Sequence, residues 1–452
     1  MRDFLAVAGI VLCIATSLFT GVSLSIGFLA AILICALLQY GNFKVKEALT
    51  SMARTVAEVK ILYAIIFLIG ASVSSWLAGG VVQTIMVMGL RAMLGRNVIL
   101  MTFIITAVAG VFMGTAIGTI STLGIAILGI GAAFDIPLPM LLGAAVSGAF
   151  ISDKISPLSG LMNLTLSGAG AKYSDAVKSM LTTLIPIVLI TVAFYAVIGS
   201  EFVTESASQV NAIEAAMNQV FVIHPGLLIL PVVVVGLAFS GRPSIISIGS
   251  GVVMGIVLSV FIQGNSMLET IKYVVLGYNR SSSDVFLDGI LRSGGMMGMV
   301  EVILIVMGAV ALSDLMETTG LNTRLFGRYF ENIPSGNQLL IRGGLISMVM
   351  TALTCDQTAG IVMPLRILRK KGKTYGVTPA LSVRTISDTG TIIAPLMPWN
   401  INALIIGGIT GIGAMAYAPY AVLCAVAPLV SFAVLLMKPI KMEAVTSSQV
   451  ET

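Results

Sequence analysis

Apolar runs of about 20 residues recur from the first turn of this 452-residue chain to residue 437, and nothing else in it constrains the fold so strongly. A helix needs about 20 such residues to cross the hydrocarbon core of a bilayer. Inside that core every backbone N–H and C=O must find a partner within the protein, so the runs are helices and not barrel strands. Charged residues make up 10% of the chain and hydrophobic ones 57%, whereas a soluble domain carries roughly 25% charged side chains and can cover itself in water. The chain is therefore an integral membrane protein with about ten to twelve spanning or half-spanning segments. A net charge of +5 is no nucleic-acid signal here, because the Lys and Arg sit between apolar runs, where they bias orientation.

Two of the runs are interrupted alike. The first interruption reads Ile151-Ser152-Asp153-Lys154-Ile155-Ser156-Pro157-Leu158-Ser159-Gly160-Leu161-Met162-Asn163. The second reads Ile386-Ser387-Asp388-Thr389-Gly390-Thr391, then Pro395-Leu396-Met397-Pro398-Trp399-Asn400. Upstream, Thr122-Leu123-Gly124-Ile125 is echoed by Thr358-Ala359-Gly360-Ile361. Asp153 and Asp388 stand 235 residues apart, Thr122 and Thr358 236, so one register relates both pairs. Broken apolar segments at matching places in two halves point to a secondary transporter with its site at the repeat interface. The expected fold class is all-α: a polytopic membrane protein, an inverted-repeat transporter with discontinuous helices and re-entrant hairpins. Its expected division is a first repeat over 1–210, a linker over 211–220 and a second repeat over 221–452.

Along the chain, residues 4–18 and 22–40 read as a hairpin of spans. No small-residue cleavage site follows Leu18, so the first helix is expected to be retained. The basic stretch with Lys44, Lys46, Arg54 and Lys60 reads as a cytoplasmic interfacial helix, which puts the N-terminus on that side. Gly110, Gly114 and Gly118 fit either a close helix-packing face or an unwound turn whose carbonyls and the hydroxyls of Thr115, Thr119, Ser121 and Thr122 face a cation. Residues 200–219 form the longest polar linker. His224, before Pro225, reads as a helix-start residue. Residues 264–295, with Arg280, Asp284, Asp288 and Arg292, suit a lateral amphipathic helix, and Glu301 lies near a segment end within reach of water. The basic patch Arg366, Arg369, Lys370, Lys371 and Lys373 should be cytoplasmic, as should Lys438 and Lys441 in the tail. Cys13, Cys35, Cys355 and Cys424 lack metal or disulfide spacing and read as packing residues.

A carboxylate at mid-membrane costs roughly 2.5–3.5 kcal/mol on insertion scales, so Asp153, Asp356 and Asp388 beside helix breaks call for a use. A small hard cation is one, since broken helices expose carbonyls that Asp, Ser, Thr and Asn oxygens supplement. The candidate ligands are Asp153, Ser156, Ser159, Asn163, Thr119 and Thr122 from the first half, and Asp356, Thr358, Asp388, Thr391 and Asn400 from the second. Sodium held through Asp153, Asp356 and Asp388 would be cargo or coupling ion, with no resident cofactor. A carboxylate that trades a proton for a cation suffices for antiport, and Asp356 and Asp388 are the proton-carrying candidates. Lys154 is a candidate partner for Asp153 that would hold it charged. Taken singly, each Ser, Thr, Asp or Asn is equally suited to capping a helix.

Ser152-Asp153-Lys154-Ile155-Ser156-Pro157-Leu158-Ser159, Asp356-Gln357-Thr358, and Ser387 to Thr391 with Pro395 to Asn400 together resemble the NhaC-type sodium/proton antiporters, over most of the chain. The resemblance implies a transporter rather than an enzyme, an inverted-repeat fold, a cytoplasmic (inner) membrane location and cation-coupled exchange. The family pattern reads Ser-Pro-Leu-Ser-Asp-Thr-Thr-Asn, whereas this chain has Gly160, Leu161 and Met162 in place of the carboxylate and two hydroxyls. That loss makes the first break more apolar. The family is also similar to malate/lactate exchangers and amino-acid transporters, so a sodium- or proton-coupled carrier of a small organic acid or amino acid is the alternative expectation. The expected partners are the lipid bilayer, a small cation and a small organic solute, with no nucleic acid and a homodimer left open.

Overall fold

Where apolar runs meet a polar residue, several helices start on side-chain caps. In the computed structural model Asn97 accepts from the Leu100 N–H at 2.9 Å, Ser335 from Gln338 at 3.3 Å and Thr378 from Leu381 at 3.3 Å. Such caps satisfy donors that a helix start leaves unpaired. The structure describes residues 2–203, 207–240, 242–279 and 291–437. Glu205, Arg280, Asp284, Asp288, Lys438 and Lys441 lie outside the described residues.

The chain opens with α1 (Arg2–Thr20), α2 (Leu24–Leu38), the amphipathic α3 (Val45–Glu58), α4 (Lys60–Ala78) and α5 (Val81–Met93). Then come α6 (Val98–Met113), α7 (Ala116–Ala133), α8 (Leu138–Ala149), α9 (Ser152–Ile155), α10 (Gly160–Ala169) and α11 (Tyr173–Ile198). The stretch expected to be a polar linker holds a helix, α12 (Ala207–Val220), followed by α13 (Ile229–Phe239), α14 (Ser244–Phe261) and α15 (Met267–Leu276). The remainder is α16 (Val300–Thr318), α17 (Leu321–Gly327), α18 (Gly336–Thr354), α19 (Gln357–Gly372), α20 (Pro379–Ile386), a π-helical turn (Ser387–Thr391), α21 (Ile401–Thr410), α22 (Ala414–Tyr417) and α23 (Val422–Met437).

Among the described residues, seven helices are long and apolar enough to cross a bilayer, or up to ten when each sharply bent pair counts as one span. The lower end of the sequence estimate is thus reached only by counting broken spans. The protein is an all-α polytopic membrane protein. Contacts between early and late helices come in matched pairs: α4 packs on α14 and α15 as α16 packs on α2 and α3, and α7 packs on α21 as α19 packs on α10. α5 is buried along most of its length and packs on α7 and α12. His224 caps the turn before α13, its Nδ1 accepting from Gly226 at 3.0 Å, and Glu301 is exposed and accepts from Ser23 at 2.8 Å.

Candidate functional site

Each expected break is real, and each is made by residues that stop one helix and cap the next. Gly114 ends α6 at φ 71°, and Thr115 starts α7. A Cβ on Gly114 would come within 2.5 Å of Leu158, and one on Gly110 within 3.0 Å of the Ala149 carbonyl. Gly110 thus serves close packing and Gly114 a left-handed turn between helices. In the other break Cys355 takes the left-handed conformation at φ 60°, and Asp356 caps α19 by accepting from the Thr358 N–H at 3.2 Å. Thr115 and Asp356 thus hold like cap positions, as do Ser159 and Asn400, whereas Thr122 lies inside α7 and Thr358 in the first turn of α19.

The two Ile-Ser-Asp segments, α9 and the π-helical turn, lie side by side. Between them Lys154 Nζ and Asp388 Oδ1 form an ion pair with side chains only 1% and 0% exposed. Neither group makes a further hydrogen bond among the described residues. The expected pairing of Lys154 with Asp153 is not what the structure shows. Consecutive helical residues point roughly 100° apart, so Lys154 faces the second break while Asp153 faces the first.

Asp153 is buried, accepts from Ser159 Oγ at 3.3 Å and from the backbone N–H of Ala116 at the start of α7. A carboxylate there complements the positive end of the helix dipole. Asp153 and Ser159 line a cavity of about 480 Å³, together with Thr122, Trp76, Ser247 and Arg242. Asp356 and Thr358 line a different cavity of about 410 Å³, with Asp314, Asn322 and Arg366. The three aspartates therefore do not converge on one ion: among the described residues no three His, Cys, Asp or Glu side chains come together as a metal site.

The other expected residues fall as follows. Ser156 Oγ donates to the Val111 carbonyl at 2.8 Å, tying the break to α6. Thr119 and Thr122 are buried and bond back to the carbonyls of Thr115 and Gly118 at 2.8 and 2.7 Å. Asn163 is exposed and holds the Pro157 carbonyl at 3.1 Å. Thr391 Oγ1 bonds the Ile386 carbonyl at 3.3 Å, and its own carbonyl accepts from Gln357 at 2.5 Å. Asn400 caps α21 through the Asn402 N–H at 3.0 Å, leaving its buried Nδ2 unbonded.

Residues 148–438 match the sequence profile described as the Na+/H+ antiporter family, well over half the chain. The chain belongs to the Na+/H+ antiporter family. Among its relatives, the arginine/ornithine antiporter ArcD of Halobacterium salinarum is 29% identical over 79% of this chain and 74% of its own. The malate-2H+/Na+-lactate antiporter of Bacillus subtilis is 27% identical over 78% and 76%. The Na+/H+ antiporter NhaC of Alkalihalophilus pseudofirmus is 27% identical over 79% and 78%. In this member of the family the sequence reading missed Trp76, Arg242, Ser247 and Asn402, which line the Asp153 cavity, and the buried Arg384, which donates to Thr182 at 3.0 Å. None of these stands in a broken segment except Asn402, just after the second, so no local signal marks them.

Proposed function

We propose that this transporter exchanges sodium for protons across the cytoplasmic (inner) membrane, working as two inverted repeats, residues 1–210 and 221–452, joined by 211–220. The observation that carries the reading is the Lys154–Asp388 pair, which bridges the two broken segments with no other hydrogen-bond partner among the described residues. Two charges out of water persist only because each offsets the other. A sodium ion that binds the Asp388 carboxylate takes the place of the ammonium. Lys154, displaced from its partner, then gives up one proton. One sodium in and one proton out is an exchange that needs no further group. Asp356, with Thr358 on the other cavity, remains the second proton-carrying candidate. The basic segments at Lys44 to Lys60 and Arg366 to Lys373 support a cytoplasmic N-terminus.

The test is sodium-driven proton flux in proteoliposomes. Asp388→Asn should abolish it, and wild-type turnover in that variant would falsify the assignment. A second reading, a cation-coupled carrier of a small organic solute, is favoured by Gly160: it lines the Asp153 cavity, and a Cβ there would meet nothing within 4 Å. The carboxylate that the family pattern has at this place is replaced by open space.

A further inference from the structure

The cavity of about 480 Å³ beside Asp153 lies within the usual range for a small-molecule site. Its polar groups divide by charge. Asp153 is the one carboxylate in its lining and Arg242 the one basic side chain, among the described residues. The indole Nε1 of Trp76 and the Oγ of Ser247, on two residues of the lining, are themselves shut off from the cavity by packing. Near Asp153, Ser159 Oγ and Thr122 Oγ1 already donate to protein acceptors and keep lone pairs that can accept only. The rest of the wall is apolar, with Leu62, Ile65, Met113, Ile117, Leu161 and Ile248.

We infer that this cavity binds a neutral α-amino acid with an apolar side chain, its ammonium at Asp153 and its carboxylate at Arg242. The inference rests on the organic-carrier reading above. It selects among solutes by charge. A dicarboxylate would hold its second carboxylate against the apolar wall, and a basic amino acid would find no second acidic partner there; a buried unpaired charge is costly. Gly160 and Leu161, which replace an acidic and a hydroxyl residue of the family pattern, make room for the side chain and line it with hydrocarbon.

Isothermal titration of the purified full-length protein in detergent tests this with L-leucine, 4-methylpentanoate, which lacks the amine, and isoamylamine, which lacks the carboxylate. L-leucine should bind at least tenfold more tightly than either analogue. Arg242→Gln should weaken L-leucine about tenfold without affecting isoamylamine, and Asp153→Asn should do so without affecting 4-methylpentanoate. A purely structural disturbance would weaken all three ligands together. Gly160→Leu, which fills open space, should abolish L-leucine binding with the melting temperature unchanged. No binding of L-leucine at millimolar concentration, or equal binding of the three ligands, overturns the inference. Sodium-driven proton flux without amino acid, measured alongside, separates the two readings. Flux with no leucine binding overturns the inference and leaves the antiport standing; leucine binding with flux only when leucine is present supports the inference and overturns antiport without an organic solute.

Discussion

Asp153 and Asp388 each follow an Ile-Ser pair and stand 235 residues apart, yet Asp153 faces a cavity and the start of α7 whereas Asp388 is sealed against Lys154. The contrast extends to the helix starts. α19 takes its carboxylate from its own cap, Asp356, while α7 is capped by neutral Thr115 and receives the carboxylate of Asp153 from another helix. Both solutions place negative charge at a positive helix end. They differ in what a bound ligand can reach. The second break offers a closed pair for a cation to open, and the first offers an open carboxylate with room beside it.

The largest expected effect comes from breaking the closed side. Lys154→Met leaves the Asp388 carboxylate buried without a partner and should cost about 3–5 kcal/mol, read as a lower unfolding temperature in detergent together with loss of flux. The double variant Lys154→Met/Asp388→Leu should recover most of that stability and stay inactive; an unfolding temperature as low as that of Lys154→Met would show that the pair does not account for the loss. Gly114→Ala comes next. Its φ of 71° and the approach to Leu158 predict a loss of about 2 kcal/mol or more, and a loss below about 0.5 kcal/mol would mean that α10 shifts freely against α6.

Ser159→Ala removes a cap from α10 and a donor from Asp153, for about 1 kcal/mol. Asn400→Ala should cost a similar amount at α21. The pair sharpens the comparison, because only Ser159→Ala should also weaken solute binding at Asp153. Cys355→Gly should change stability least, within about 1 kcal/mol, as relief of a left-handed non-glycine residue offsets the loss of a buried side chain.

Much of this was legible from the residues in order. Hydrocarbon runs determine helices in a bilayer whatever surrounds them, and Gly114, Pro157, Ser159 and Asn400 end or begin helices through contacts within a few residues. The exposed position of Glu301 and the capping role of His224 were readable for the same local reason. The likeness of the two breaks was visible as well, though Thr122 lies inside α7 and Thr358 in the first turn of α19. The sequence by itself therefore determined a polytopic helical protein with two interrupted segments carrying aspartates.

Tertiary packing alone decided which partner each charge meets. A rotation of roughly 100° per residue turns Lys154 away from Asp153, and the packing of α9 against the distant π-helical turn supplies Asp388 instead. The same packing sends Asp153 and Asp356 to separate cavities and brings Trp76, Arg242 and Ser247 into the lining around Asp153 from segments with no motif of their own. Charge partners far apart in sequence meet only through the arrangement of helices, and no local pattern encodes that arrangement.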